Sequence, residues 1–538
     1  MSATTSPARH ALTRVPAEAY GRDALRGRLL GAGTRLGPLG WILPLAVTLL
    51  AGILRFWNLD NPHAFTFDET YYVKDAYTLL QSGYERQWAD DANDAYLAGN
   101  PAPLESAAYV VHPPLGKWLI GLGMLLFGTD HGLGWRFSSA AVGTLSVLLI
   151  ALIAQRLFAS AALGGVAGLL TAIEGHHLVL SRTALLDIFQ MFFVVAAFYA
   201  LLLDRQHGRG KLADRLSSAM LDSDAGARRA ALLYGPWMPW RPWRLVAGVM
   251  LGGAVGVKWS ALAFVAVFGL MTVLWDVQAR RIAGIGRWMS AGLLRDGVPA
   301  FLTVVPAAAL TYLATWTGWL ATAGGYDRQW AADNPDSAWP GVPAPLRSLI
   351  EYHRSAYEFH QGLSSDHSWE SGPWTWLFAG RPVLFYYVGS ERGQGDCVSA
   401  DCAAVVTDLP NPIIWWAAAL SLLVLLLHWA GGRDWRAGAI LAGMLAGFGP
   451  WFGYPDRTMF FFYTIAFQPF MVLSLTYVLA LAAGRPGAPP ERRRAGMLAV
   501  GGFLALALVV SAFFWPVWTG ETIPYDQWTL RRWMPSWG

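Results

Sequence analysis

The chain has 538 residues, 54% of them hydrophobic and 14% charged, with a formal net charge of +4 and a mean hydropathy of +0.35. Soluble globular domains carry about 25% charged residues; here the apolar residues come in long runs rather than in alternation, which argues for a polytopic membrane protein. The positive charge is scattered over loops, with no basic aromatic face of the kind that binds nucleic acid.

In chain order, residues 1–40 form a basic tail holding Arg9, Arg14, Arg22, Arg26, Arg28 and Arg35. It is too long and too broken for an ordinary cleaved signal peptide and reads as a cytoplasmic tail ahead of a first span near 41–59. Then comes "FTFDETYYVKDAYTLLQSGYE", Phe65 to Glu85, with two adjacent acids among aromatics. A helix is expected from Phe67 to Ser82, closed by Gly83. Thr66 and Glu69 have capping-box spacing, with Thr66 as N-cap and Glu69 reaching back. Neighbours on a helix point about 100° apart, so the structural job falls to Glu69 and Asp68 is left free. First-turn acids that merely complement the helix dipole account for the same pattern.

The stretch "HPPLGKWLIGLGMLLFG", His112 to Gly128, is apolar but short for a span. Counting it as one turns outward the loops that hold Arg205, Arg209, Lys211, Arg215, Arg228 and Arg229, and also Arg492, Arg493 and Arg494. That conflicts with the positive-inside rule, so the segment reads as an interfacial helix on the outer surface. Further spans are placed near 136–155, 160–177, 185–203, 243–258, 260–276, 297–320, 412–430, 437–453, 460–483 and 496–515. The expectation is an all-α polytopic membrane protein of about eleven transmembrane helices, N-terminus inside and the tail 516–538 outside. The segments 60–135 and 321–411 face outside. The inner stretches "DRQHGRGKLADR" and "GRPGAPPERRR" read as connectors, and no Gly-rich phosphate loop marks a site for ATP or a soluble nucleotide sugar.

Ionisable residues at membrane depth are expensive and face a cavity or a partner. Asp68, Arg136, Glu174, Arg182, Asp187 and Lys258 all fall at outer span ends or in outer loops of this topology. Simpler readings stand beside the functional one: snorkelling for Arg136, an Arg182–Asp187 ion pair, a polar turn for Lys258. The adjacent His176 and His177 do not share a helix face and make a weak metal signal. The second outer segment carries His353, His360 and His367 with Trp369, Trp374 and Trp376, a surface suited to a sugar or an extended peptide; an interfacial aromatic belt explains each Trp equally well. Arg457 is a further charge at an outer end. Cys397 and Cys402 lack a nearby His or further Cys, so a short disulfide on an oxidising side of the membrane is expected rather than zinc.

The motifs "FTFDETYYVKDA", "HPPLGKWLIGLG", "GWRFSSAAVGTL", "LVLSRTALLDIFQMFF" and "GVKWSAL", in this order, resemble those of the protein O-mannosyltransferases, above all the actinobacterial type. The resemblance covers about Trp41 to Trp515. It implies a GT-C fold (residues 41–515) with interfacial helices and an active site on the outer face of the bacterial plasma membrane. It implies a polyprenyl phosphate mannose donor and, as acceptors, Ser or Thr of secreted polypeptides, met in transit from the Sec translocon. Matched residue by residue, Asp68 and Glu69 correspond to the acidic pair, with Asp68 as base. Arg136, Arg182 and, less firmly, Lys258 correspond to the cations expected at the donor phosphate. Asp187, Glu174, His112, Lys117, His353, His367, Trp374 and Arg457 are further active-site candidates. The β-trefoil (MIR) insertion of eukaryotic members has no room in residues 321–411. No cofactor is required by this chemistry, and a divalent metal is left open. Two other readings remain: a GT-C enzyme moving a different polyprenyl-linked sugar to a lipid or glycan, and a transporter or flippase, for which paired repeats or broken helices at the midplane are expected.

Overall fold

A computed structural model of the protein describes residues 20–31, 37–222, 224–484 and 487–538. The expectations for Arg9, Arg14 and Arg35 lie outside the described residues, as does the start of "RPGAPPERRR". Among the described residues, seven helices are long and apolar enough to cross a membrane: Leu39–Phe56, Gly132–Phe158, Asp187–Met220, Trp259–Ile282, Trp288–Thr315, Pro412–Gly432 and Pro490–Thr519. An eighth candidate is the pair Ala161–Ile173 and Gly175–Ser181, bent by 65° at Glu174. The expected spans at 243–258, 437–453 and 460–483 are represented by Pro242–Val257, Trp435–Phe448 and Gln468–Ala483, each 14 to 16 residues. At 1.5 Å per residue these reach about 21–24 Å, short of a hydrocarbon core of about 30 Å.

The breaks follow local chemistry. Glu174 ends one helix and caps the next, its carboxylate accepting from His177 N at 2.9 Å. Asn411 caps Pro412–Gly432, accepting from Ile413 N and Ile414 N, with Pro412 at the first helical position where no N–H is needed. Lys258 is extended (φ −148°) between Pro242–Val257 and the 3-10 turn Trp259–Ala261. The interfacial segment is a helix, Leu115–Phe127, turned back by Gly128 onto Gly132–Phe158. A Cβ at Gly134 would overlap the Gly128 carbonyl, so this close approach requires glycine.

The helical architecture carries one addition absent from the sequence reading, a three-stranded antiparallel sheet. It consists of β1 (Leu384–Glu391), β2 (Asp401–Thr407) and β3 (Thr522–Pro524) in the order β1-β2-β3. A disulfide joins Cys397 to Cys402 at the β1–β2 turn.

The sheet and the helix breaks belong to a unit formed by the described residues of 37–202, 244–271 and 303–538. A second unit gathers the described residues of 20–31, 203–243 and 272–302. Within it, Leu25, Leu29, Leu212, Leu216, Met238 and Ile285 share a buried cluster. Arg241 pairs with Asp204 at 2.6 Å and Arg280 with Asp296 at 2.5 Å. "DRQHGRGKLADR", expected as a connector, is instead helical, part of Asp187–Met220. Leu212 within it and Leu216 just after it, spaced by four, share one buried side of the helix despite the neighbouring charges. Gly208 leaves room for the Arg241 guanidinium, which a Cβ would overlap.

Candidate active site

The acid pair lies where the chain turns into the helix Glu69–Ser82. Phe67 adopts a left-handed backbone, φ +49°, a strained conformation for a bulky residue. It is held there by its N–H, which donates to Phe385 O at 3.1 Å, and by its ring, which stacks on Phe385 and meets Phe460, Phe462 and His367 edge-on. The next two side chains part as expected. Glu69 is fully buried, whereas Asp68 keeps part of its surface open.

Glu69 is saturated. Arg136 donates to it through Nε and Nη2, both at 2.8 Å, and the backbone N–H groups of Thr66 and Ala184 add bonds of 2.8 and 2.7 Å. Only half of the expected capping box is formed: Glu69 reaches back to Thr66, but Asp68 is the N-cap and Thr66 Oγ1 has no partner. Arg136 spends its other bonds on the carbonyls of Leu59, Pro62 and Ala64. It neither snorkels nor presents a free donor; the pair clamps residues 59–69 to the turn before Asp187. Arg182 is occupied likewise, donating to the carbonyls of Arg55, Trp57 and Asn58 at 2.6–3.1 Å, which ties down the end of Leu39–Phe56. It makes no ion pair with Asp187.

Asp187 pairs with Lys258 instead, Nζ to Oδ2 at 2.7 Å. The ammonium lies 5.6 and 5.3 Å from the ring centres of Phe462 and Tyr463. Asp187 and Lys258 line a cavity of about 330 Å³ with His112, His360, Arg457 and Gln190. Its remaining wall is largely apolar and aromatic, including Leu262, Phe264, Trp451 and Ala466. Arg457 reaches His360 O, Thr458 O and Tyr463 OH only at 3.3–3.4 Å and lies over the Trp451 and Tyr463 rings. It is the most loosely tied cation of this wall. Burial drives the His112 imidazole well below its ordinary value, reinforced by Lys258, His360, Lys117 and Arg457.

Asp68 belongs to the same electrostatic neighbourhood. Burial pushes its carboxyl up to about 6, with Lys258 pulling it down and Asp187 pushing it up. Its Oδ2 accepts from Tyr72 OH at a long 3.4 Å. A carboxylate of that proton affinity suits a general base at neutral pH, and the adjoining cations and apolar wall suit an anionic headgroup on a lipid.

The structure thus gathers Asp68, Asp187, Lys258, His112 and Arg457. It places the other candidates elsewhere. Glu174 caps its helix and accepts from Asn411 N at 3.0 Å. Lys117 is buried against Glu85 and Asp75. His353 bonds to Tyr312 OH and Leu349 O, His367 packs on Phe67 and Phe460, and Trp374 is 59% exposed. Tyr72, Gln190 and Tyr463 were missed. Tyr463 was hidden because "FFFYTIAF" reads as the start of a span, whereas it is a 3-10 segment, Phe461–Ala466, that turns the ring into the cavity.

Comparison with known proteins converges on the same chemistry. Residues 345–537 match the profile of the C-terminal four TMM region of protein-O-mannosyltransferase, and residues 111–216 that of dolichyl-phosphate-mannose-protein mannosyltransferase. The chain is 39% identical to a polyprenol-phosphate-mannose–protein mannosyltransferase of Mycolicibacterium smegmatis, over 93% of this chain and 94% of that protein. Similarity to proteins of the same name is 38% in Mycobacterium tuberculosis (93% of each chain) and 33% in Corynebacterium glutamicum (94% of each). Its fold matches a chain of the S. cerevisiae protein O-mannosyltransferase Pmt1-Pmt2 complex bound to the sugar donor, with a TM-score of 0.65 at 14% identity over 95% of this chain and 94% of that one. The architecture is therefore that of the GT-C membrane glycosyltransferases, and the chain belongs to the polyprenol-phosphate-mannose–protein mannosyltransferase family.

Proposed function

We propose that the protein transfers mannose from polyprenyl phosphate mannose to Ser or Thr hydroxyls of exported polypeptides, at the outer face of the bacterial plasma membrane. The orientation adopted is the one inferred from loop charge, with the N-terminus cytoplasmic and the acceptor arriving from the Sec translocon. The observation that carries this reading is the electrostatic coupling of a partly exposed carboxylate, Asp68, to Asp187 and Lys258, which line a cavity that joins Lys258 and Arg457 to an apolar wall.

In the proposed step the acceptor oxygen attacks C1 of a β-linked mannosyl phosphate. Its proton passes to Asp68, the C1–O bond to phosphate breaks, and an α-linked product forms with inversion. The lipid leaves as a phosphate monoester and needs no proton, but its growing charge needs cations. Lys258 and Arg457 supply them; Asp187 fixes Lys258, and Arg457 has the slack to follow the phosphate. Arg136 and Arg182 act one layer further out, holding the loops that carry Asp68. With cations in place the step needs no metal. Reconstituted protein incubated with radiolabelled polyprenyl phosphate mannose and a Thr-rich peptide should label the peptide, and Asp68→Asn should abolish the labelling. Label appearing in a lipid or glycan instead would overturn the proposal.

A further inference from the structure

β1 is an edge strand. β2 covers one of its sides, and among the described residues no strand covers the other. The uncovered side has one backbone bond at its start, the Phe67 N–H donating to Phe385 O at 3.1 Å. Phe67 immediately precedes Asp68. The strand then runs away from the site through Tyr387 and Val388, which are 45% and 44% exposed, to Glu391 at the disulfide-closed turn. Exposed edges of this kind are templates for another extended chain.

We infer that β1 is the docking edge for the acceptor polypeptide, which adds to the sheet as an extended strand along Tyr386–Glu391 and delivers its hydroxyl to Asp68 where the Phe67 amide takes over the ladder. This rests on the transfer reaction proposed above. Continuity is the argument for that occupant. A rung of the same edge is already filled by the residue next to the base, and at about 3.3 Å per residue the span from Tyr386 to Glu391 covers about five acceptor residues. The disulfide closes the turn at the far end of the edge, and the ring of Tyr387 lies 5.2 Å from that of Trp528. Strand addition recognises backbone, so acceptors would be selected by being extended and unfolded rather than by a short sequon.

The test leaves the enzyme untouched. A set of synthetic peptides, each with one Thr and one N-methylated backbone amide at successive positions, is assayed for mannose transfer by the reconstituted full chain. Docking on an edge predicts a period of two on one side of Thr. Every second N-methyl group should lower kcat/KM by roughly 3- to 10-fold, the net worth of one backbone hydrogen bond, while the alternate ones are silent. A peptide carrying a benzophenone three residues from Thr on that side should crosslink within Tyr386–Glu391. Efficient transfer with no alternation, or an adduct mapped to another segment, overturns the docking edge and leaves the transferase reading intact. No transfer to the unmethylated peptide overturns both.

Discussion

Replacing Glu69 with Gln separates a clamp from a catalyst. Gln keeps the shape and can still accept from one or two of the four donors around it, but it removes the charge that faces a buried guanidinium. Arg136 is 1% exposed and Glu69 not at all. Breaking one side of such a pair costs about 3–5 kcal/mol, because the remaining charge stays buried without its partner. The retained bonds put Glu69→Gln near the lower end, about 3 kcal/mol. At tenfold per 1.4 kcal/mol the opened form of segment 59–69 should rise by roughly a hundredfold. Hydrogen exchange at Thr66 and Ala184, whose N–H groups both donate to Glu69, reads this directly. Asp68→Asn should behave in the opposite way: protection unchanged and transfer lowered by about 10²–10⁴-fold. If Glu69→Gln keeps wild-type protection at both amides yet loses transfer, Glu69 takes part in the chemistry and the clamp reasoning fails.

Other outcomes follow from the same geometry. With Asp68 raised to about 6 and active only as carboxylate, kcat/KM should fall about tenfold per unit as pH drops below 6; a flat profile down to pH 5 would reject Asp68 as the titrating base. Lys258→Met removes the cation that holds the Asp68 carboxyl down, so in that variant the acid limb should move to higher pH, besides a raised donor KM; an unmoved limb would separate the two residues. Arg457→Ala should raise the donor KM or lower kcat with saturating peptide, whereas Arg182→Ala should loosen the end of Leu39–Phe56 in exchange experiments; the reverse pattern would exchange their roles. A single Cys near Arg209, replacing the exposed His207, should resist an impermeant maleimide in intact cells, and labelling there would overturn the orientation drawn from loop charge.

How much of this could be read from residues alone depended on whether a side chain's partner lay nearby in sequence. That Asp68 and Glu69 meet different surroundings, Glu69 buried against Arg136 and Asp68 partly exposed, was legible, because helix geometry sets neighbours on different faces. The choice of cation was not. Arg136, Arg182 and Lys258 look alike as charges at span ends, and only tertiary placement shows that the first two bond carbonyls of residues 54–64 while the third turns into the cavity. Planar guanidinium groups, with five donors, suit the task of tying several carbonyls at once. The sheet escaped notice for a related reason: β3 lies more than a hundred residues from β2, and three residues of strand leave no periodic trace.

In the reaction proposed above, with Asp68 as base, the electrostatic setting of Asp68 makes that base answer to its substrate. Lys258 draws the Asp68 carboxyl toward ionisation. An arriving lipid phosphate shares that ammonium and brings a negative charge of its own, so Coulomb's law raises the proton affinity of Asp68 on loading. The carboxylate is thus a stronger base with the donor in place than without it. After transfer the departing phosphate monoester carries still more charge and strengthens the hold of Asp68 on the proton it has taken. Release of the spent lipid and release of that proton become linked events, and mildly acidic conditions favour the state in which both are retained.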